Sequence, residues 1–140
     1  MKHGQINWSE INRRASELMS RFHLDIDVTR PLSYYSTAIQ QMTSIARAVD
    51  IQAKILILDE PTRGIDVGAK YEIYNIMLEQ IAQGKSIIMI SSEMPELMGM
   101  SDRIMVMCEG RVTGFLNKGE YTQEKIMALA TQFAGRNTAA

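Results

Sequence analysis

The 140-residue sequence has only three prolines, 6% aromatic residues and one cysteine. Cys108 has no second cysteine to pair with, so a disulfide framework is excluded. Its apolar neighbours indicate a small buried side chain rather than a reactive thiol. No apolar run approaches the roughly 18 to 20 residues of a membrane span, and the first residues show no signal-peptide pattern. A soluble protein of the reducing cytoplasm is therefore expected.

The sequence also has no excess of charge of either sign. Fifteen Lys and Arg residues nearly balance sixteen Asp and Glu residues, for a formal net charge of −1. The basic pair Arg13-Arg14 is interpreted as a solvated helix face, and nucleic acid is not expected as a partner. His3 and His23 have no second ligand at metal-binding spacing, so no metal site is predicted for them.

The sequence contains no stretch of the form G-x-x-x-x-G-K-[ST], the loop whose backbone amides and lysine hold nucleotide phosphates. It does contain a run of four aliphatic residues, 55–58, followed by Asp59 and Glu60. This run predicts a buried parallel strand whose C-terminal end presents two carboxylates. Such a pair is typical of sites where one carboxylate holds Mg²⁺ and the other faces an attacking water. The run therefore predicts the metal and water end of an ATPase site without its phosphate end.

Hydrophobic spacing predicts helices that alternate with strands. Helices are predicted over 9–22, 36–50, 66–84, 95–98 and 123–133, with candidate caps at Ser9, Ser36, Asp66 and Thr122. Strands are predicted over 55–58, 86–91, 103–108 and 111–116, the last two joined by a tight turn at Glu109-Gly110. Residues 135–140 are expected to fray.

This order predicts an α/β fold with a mainly parallel sheet, flanking helices and a C-terminal antiparallel hairpin. The strand that would lead into a phosphate loop is missing from the predicted set. One edge or face of the sheet is therefore expected to be uncovered.

Two segments resemble the ATP-binding subunits of ABC transporters. They are residues 59–70, DEPTRGIDVGAK, and residues 90–97, ISSEMPEL. The narrower resemblance is to the ATPases that import ribose, galactose, xylose or galactofuranose, which carry two ATPase halves in one chain. It implies a partial ABC ATPase fold of the P-loop NTPase type. Residues 1–50 would be the end of the helical subdomain with a degenerate signature segment, and residues 51–140 the C-terminal part of the α/β core.

The resemblance is not uniform along the chain. Residues before the shared run 58–62 look like the first half of such a protein, and residues after it look like the second half. We therefore hypothesise a chimaera joined at this run, together with a truncation that removed the first phosphate loop.

The resemblance also assigns roles to five residues. Asp59 would hold Mg²⁺ through water, and Glu60 would polarise the attacking water as the catalytic residue. Ser36 occupies the position of the signature serine that donates to the γ-phosphate of a nucleotide held by the partner. Asp66 lies where the D-loop contacts the opposing ATPase unit, and Ser92 lies at the switch position. Ser36, Asp66 and Ser92 are thus the candidate cofactor-binding residues.

Several positions depart from the family pattern. The two signature glycines are Thr37 and Ala38, and the following glutamine is Ile39, so close approach of the backbone to a phosphate is not expected. The switch position carries serine rather than the histidine of most ABC ATPases, as is common in the second half of sugar-import ATPases. For Ser36, helix capping alone is an equally good interpretation.

The functional prediction follows from the family. The complete protein would use ATP and Mg²⁺, and it would bind a second ATPase half and the membrane permease subunits of a sugar importer. It would lie at the cytoplasmic face of a bacterial inner membrane. This chain is predicted to be a fragment of such an ATPase that does not bind ATP alone. The alternatives are a non-catalytic module that pairs with an intact ATPase subunit, and a remnant without function. The sequence does not identify the sugar.

Overall fold

The computed structural model describes residues 6–133, whose contacts divide the chain into two units between Ile90 and Ser91. The first unit contains α1 (Trp8–Arg21), a short 3-10 helix (Leu32–Tyr34), α2 (Thr37–Asp50), β1 (Ile55–Asp59), α3 (Val67–Ala82) and β2 (Ser86–Ile90). The second unit contains α4 (Met94–Met100), β3 (Arg103–Cys108), β4 (Arg111–Asn117) and α5 (Gln123–Ala130). The predicted alternation of helices and strands is confirmed. The predicted domain boundary at residue 50 stays a prediction.

Three of the four predicted helix caps are confirmed. The side-chain oxygens of Ser36, Asp66 and Thr122 accept the backbone amides of residues 39, 69 and 125 at 3.4, 3.1 and 3.3 Å. Each bond satisfies one amide of the first helical turn, which has no partner within the helix. The starts of α2, α3 and α5 are therefore fixed by local chemistry.

The helix bounds differ from the prediction by up to three residues, most clearly at two ends. Helix α1 is capped by Asn7, whose Oδ1 accepts the Glu10 amide at 3.2 Å, so the predicted cap Ser9 is wrong and lies inside the helix. Asparagine and serine are comparable helix caps, and Asn7 lies before Ser9 in the chain, so the helix begins earlier. Helix α5 ends at Ala130 rather than Phe133. The predicted fraying of 135–140, like His3, lies outside the described residues.

The first unit holds a two-stranded parallel sheet. Strands β1 and β2 pair in register from Ile55 with Ser86 to Asp59 with Ile90, and α3, which connects them, packs against β2 and α2. Leu56 and Leu58 are buried, whereas Ile55 and Ile57 are 58% and 67% exposed. The parallel pairing is confirmed, but the prediction of a fully buried strand is wrong. Within residues 6–133, only one face of this sheet is covered.

The second unit holds the predicted C-terminal hairpin. Strands β3 and β4 are antiparallel and are joined by Glu109 and Gly110, whose φ angles of +48° and +74° form the two-residue turn expected for a hairpin. Ile104 and Val106 of β3 form a core with Ile126 of α5. Cys108 is buried, as predicted.

No helix among residues 6–133 combines the length and apolarity that a bilayer span needs.

Candidate functional site

The carboxylate pair follows the C-terminal end of β1. Asp59 is exposed and lies opposite Ile90 in the strand register. The Glu60 amide donates to the Ile90 carbonyl at 2.8 Å, which extends the strand pairing by one residue. The Glu60 carbonyl then accepts the Arg63 amide at 3.2 Å, which begins a turn. Backbone hydrogen bonds on both sides therefore fix the position of Glu60.

Glu60 adopts a left-handed backbone conformation, with φ of +46°. For a residue other than glycine this conformation costs roughly 1 to 2 kcal/mol. Pro61 and Thr62 follow it with almost no exposed surface, and Ile65 donates to the Thr62 carbonyl at 3.2 Å. Buried packing thus holds the turn that keeps Glu60 in this conformation. Strained backbone of this kind is frequent at functional sites.

Asp66 ends the same turn and caps α3. Its Oδ1 accepts the Ala69 amide at 3.1 Å. A Cβ atom at Gly68 would lie 3.3 Å from that same oxygen, so glycine there leaves room for the cap. Asp66 is exposed and comes six residues after Glu60, so the strand end and the helix start belong to one continuous segment.

Ser36 lies at the start of α2 in the same unit and is exposed. Its Oγ accepts the Ile39 amide at 3.4 Å. A hydroxyl that accepts a bond can still donate its own proton, so capping and donation to a phosphate are compatible. The preceding backbone is held in place because the Gln40 Nε2 donates to the Tyr35 carbonyl at 2.8 Å. The side chain of Ala38, where the family has glycine, is buried.

Ser92 belongs to the second unit and is exposed. Its neighbour Ser91 forms a hydrogen bond to the carboxylate of Glu96, and Ser91 Oγ accepts the Glu93 amide at 3.0 Å. Glu96 is only 5% exposed, which is rare for a glutamate and requires a partner. Sequence reasoning missed this pair, because a serine and a glutamate five residues apart carry no motif. The pair orients the segment that presents Ser92.

The five candidates lie in three separate segments of the chain. Asp59, Glu60 and Asp66 follow one strand end, Ser36 begins another helix of the same unit, and Ser92 lies in the second unit. Two cavities of about 490 and 200 Å³ lie beside α1 and α2, and none of the five candidates lines either one.

The residues of this chain do not fit a complete Mg-ATP site. Among residues 6–133, no group of three or more His, Cys, Asp or Glu side chains is placed to hold a metal ion. Mg²⁺ bound by one or two carboxylates normally takes its remaining ligands from water and substrate phosphates. The loop that would hold those phosphates is absent from the 140 residues. The carboxylate pair alone therefore does not assemble the site.

Comparisons with known proteins identify a matching family and solved structures with the same fold. Residues 2–63 match the family described as ABC transporter, and the match ends just after the Leu58–Thr62 run. An ATP-binding cassette of an ABC transporter, MJ1267, superposes with a TM-score of 0.74 at 21% identity, covering 91% of this chain and 53% of that one. A putative metal-chelate type ABC transporter superposes with a TM-score of 0.76 at 14% identity, covering 94% and 53%. The fold is that of part of an ABC ATPase cassette.

Relatives with similar sequences point to a narrower class of ABC transporter subunits. The xylose import ATP-binding protein XylG of Moorella thermoacetica is 59% identical over 92 residues, which are 66% of this chain and 18% of that protein. The galactose/methyl galactoside import ATP-binding protein MglA of Clostridium tetani is 61% identical over 94 residues, 67% and 19% of the two chains. The ribose import ATP-binding protein RbsA of Lactococcus lactis subsp. cremoris is 59% identical over 92 residues, 66% and 19%.

This chain spans about a fifth of the length of the curated relatives it matches. It contains part of an ABC transporter ATP-binding domain. Within that family it is similar to the subunits that import sugars, as the resemblance predicted.

Proposed function

We propose that this chain supplies the metal-facing and water-facing part of an ATPase domain in a sugar importer. One observation carries the proposal: the pair Asp59 and Glu60 is held at the end of β1 by the bond from the Glu60 amide to the Ile90 carbonyl. The identity to sugar-import ATP-binding proteins supports the assignment of the pair. Because the phosphate loop is absent, nucleotide binding requires phosphate-binding residues from outside these 140 residues.

The proposal keeps the predicted roles of the five candidates. Asp59 is the metal ligand and Glu60 the residue that polarises water, both acting only in a site completed from outside the chain. Ser36, Asp66 and Ser92 belong to the surface that meets a second ATPase half. The importer's permease subunits are the other partners, and the assembly lies at the cytoplasmic face of the membrane. The relatives import xylose, galactose and ribose, which supports sugars as a class and favours no single one.

A second candidate function is a module without catalysis that pairs with an intact ATPase subunit. The exposed positions of Ser36 and Asp66 at two helix starts favour it, because both side chains can reach a partner. If the chain is a remnant without function, it should neither complete an ATPase site nor pair with an intact subunit.

Calorimetry with Mg-ATP tests the proposal. We expect no saturable binding by the chain alone. The chain is then mixed with the ATP-binding subunit of a sugar importer, in which the subunit's own carboxylate pair has been substituted. This mixture should give more binding heat than its separate components. In that mixture Glu60→Gln is expected to lower ATP hydrolysis by roughly 10²-fold or more while binding persists, because the change keeps the shape and removes the base.

The matched control is Glu109→Gln. Glu109 is also a glutamate with positive φ, but it lies in the hairpin turn, so hydrolysis in the mixture should not change. Saturable Mg-ATP binding by the chain alone would overturn the reading of an incomplete site. A mixture that neither binds nor hydrolyses beyond its separate components would overturn the proposed function.

A further inference from the structure

The start of α4 is held by a relay of hydrogen bonds. Glu93 is the residue before the helix, and its side chain makes no cap hydrogen bond. Glu96 is the third helical residue, the position from which a glutamate usually reaches back to the amide of the cap residue. Here the Ser91 hydroxyl lies between them: it donates to the Glu96 carboxylate and accepts the Glu93 amide at 3.0 Å. Ser91 therefore connects the buried carboxylate to the backbone.

The core of the second unit holds Glu96 in place. Three apolar side chains of α4 pack against the core beneath the hairpin: Met94, Leu97 and Met98. At the other end of the helix, the Tyr121 hydroxyl donates to the Ser101 carbonyl at 2.6 Å. The carboxylate that receives the Ser91 proton thus lies on a helix that is fixed along its apolar side and at its C-terminal end.

The bond from the Glu93 amide to Ser91 closes a turn around Ser92. A serine oxygen that accepts the amide two residues further on forms such a turn, but only weakly by itself. A hydroxyl has one proton and two lone pairs, so donating the proton to Glu96 leaves the lone pairs for the Glu93 amide. Ser92 is exposed in this turn, while the residues on both sides of it are partly buried. The backbone that presents the Ser92 hydroxyl therefore depends on Glu96.

We propose that Glu96 is a positioning residue for Ser92. Through the Ser91 hydroxyl it sets the backbone conformation in which Ser92 faces the second ATPase half. This inference rests on the proposed function, because Ser92 is one of its five candidate site residues. A buried carboxylate contributes little net stability to a fold, since its desolvation offsets much of what its hydrogen bonds contribute. Positioning accounts for a glutamate where an apolar side chain would fill the same space.

ATP hydrolysis in the mixture of this chain with the substituted ATP-binding subunit tests the inference. Ser91→Val removes the hydroxyl and should lower kcat roughly tenfold, whereas Ser91→Thr keeps it and should stay within about twofold of the unaltered chain, with KM unchanged in both. Glu96→Met removes the acceptor and should lower kcat as Ser91→Val does. Glu124→Met is the matched control, because Glu124 also lies in the first turn of a helix of the second unit. It should change neither constant.

Two further measurements separate positioning from a general loss of structure. In the chain alone, Ser91→Val and Glu96→Met should each speed hydrogen exchange at the Glu93 amide by roughly tenfold, while the β3 and β4 amides keep their rates. In a Ser92→Ala background, Ser91→Val should cause no further loss of kcat, because the relay acts through Ser92.

The outcomes separate this inference from the proposed function. An active mixture in which Ser91→Val or Glu96→Met matches the unaltered chain would overturn the inference and leave the proposed function standing. So would a full further loss of kcat in the Ser92→Ala background, or an unchanged exchange rate at the Glu93 amide. A mixture in which the unaltered chain gives no hydrolysis would overturn the proposed function, and the role of Glu96 with it.

Discussion

The two small sheets of this chain differ in whether one exposed face is usual for a sheet of their kind. The hairpin β3–β4 closes through a two-residue turn and packs one face on α5. Its outer face mixes apolar and charged groups, with the Arg103 guanidinium 5.7 Å from the centre of the Phe115 ring. The parallel sheet β1–β2 is connected through α3 and exposes four isoleucines. Antiparallel sheets commonly keep one face in solvent, whereas parallel sheets rarely do. The parallel sheet is therefore the incomplete one.

Two glutamates sharpen this comparison. Glu60 and Glu109 have φ angles of +46° and +48°, and each follows a strand, one in each unit. At Glu109 the conformation is explained by the hairpin turn, which requires positive φ at both of its residues. At Glu60 no hairpin requires it. There the buried turn that follows holds the conformation, and strain of this kind at a strand end is in keeping with the role proposed for Glu60.

The largest effect is expected for a core substitution in α3. Ile73 has no exposed surface, and its helix is the connection that brings β1 and β2 together. Ile73→Ala should lower the free energy of unfolding by roughly 2 to 5 kcal/mol through lost burial and a cavity. Hydrogen exchange should show faster exchange in β1 and β2, while the β3 and β4 amides stay near wild type.

Ile126→Ala provides the reciprocal variant, because Ile126 belongs to the core beneath the hairpin. It should speed exchange in β3 and β4 and spare β1 and β2. Leu78→Ala, at a position of α3 that is 53% exposed, controls for a general effect of truncation on that helix. Equal acceleration in both sheets with either core variant would show that the two units unfold together.

A smaller effect is expected at the hairpin turn. Gly110 has φ of +74°, and a Cβ there would meet no atom within 4 Å, so Gly110→Ala should cost roughly 1 to 2 kcal/mol through backbone strain alone. Gly99 in α4 also has open space but an ordinary φ, so Gly99→Ala should instead stabilise by up to about 1 kcal/mol. Denaturant midpoints of the two variants measure the difference. A neutral Gly110→Ala would mean that the turn adopts another type.

Features set by neighbouring residues could be predicted from the sequence. Ser36, Asp66 and Thr122 each cap a helix through an amide three residues away, and Glu109-Gly110 forms its turn from its own dihedral preferences. The position of the carboxylate pair at the end of β1 likewise follows from the neighbouring strand residues. Asn7 was missed only because Ser9 offered the same chemistry at almost the same place.

Features set by distant residues could be predicted only in outline: the missing strand indicated an uncovered edge or face of the sheet, but not which residues form it. Four aliphatic residues in a row fit a strand buried on both faces, and nothing in that run shows that Ile55 and Ile57 face solvent while Leu56 and Leu58 do not. The left-handed conformation of Glu60 depends on the packing of the turn that follows it. Whether Ser36 and Ser92 act with Asp59 depends on residues outside these 140, so their roles stay predictions.

The smallest expected effect concerns one exposed carboxylate in each unit. The Asn117 amide and side chain donate to Glu120 at 3.0 Å each, which lowers the pKa of that carboxyl below its usual 4.5. The Thr29 hydroxyl and amide lower the pKa of Asp27 below 3.8, with a smaller contribution from Arg30. Because each pKa is lower in the folded state, the two hydrogen bonds to each carboxylate stabilise the fold above the unfolded pKa, and this contribution is lost as the pH falls through the folded pKa.

Titration by NMR separates these contributions. Asn117→Ala keeps the amide donor and removes only the side-chain donor, so the pKa of Glu120 should rise part of the way toward 4.5 and that of Asp27 should not move. Thr29→Ala should bring the pKa of Asp27 back toward 3.8 by a larger share of its lowering than Asn117→Ala does for Glu120, because the lost hydroxyl is the largest cause at Asp27. A pKa of Glu120 that is unchanged in Asn117→Ala would mean that the backbone amide alone sets it. The loop after β4 would then be held by backbone bonding, as is the turn after β1 at Glu60.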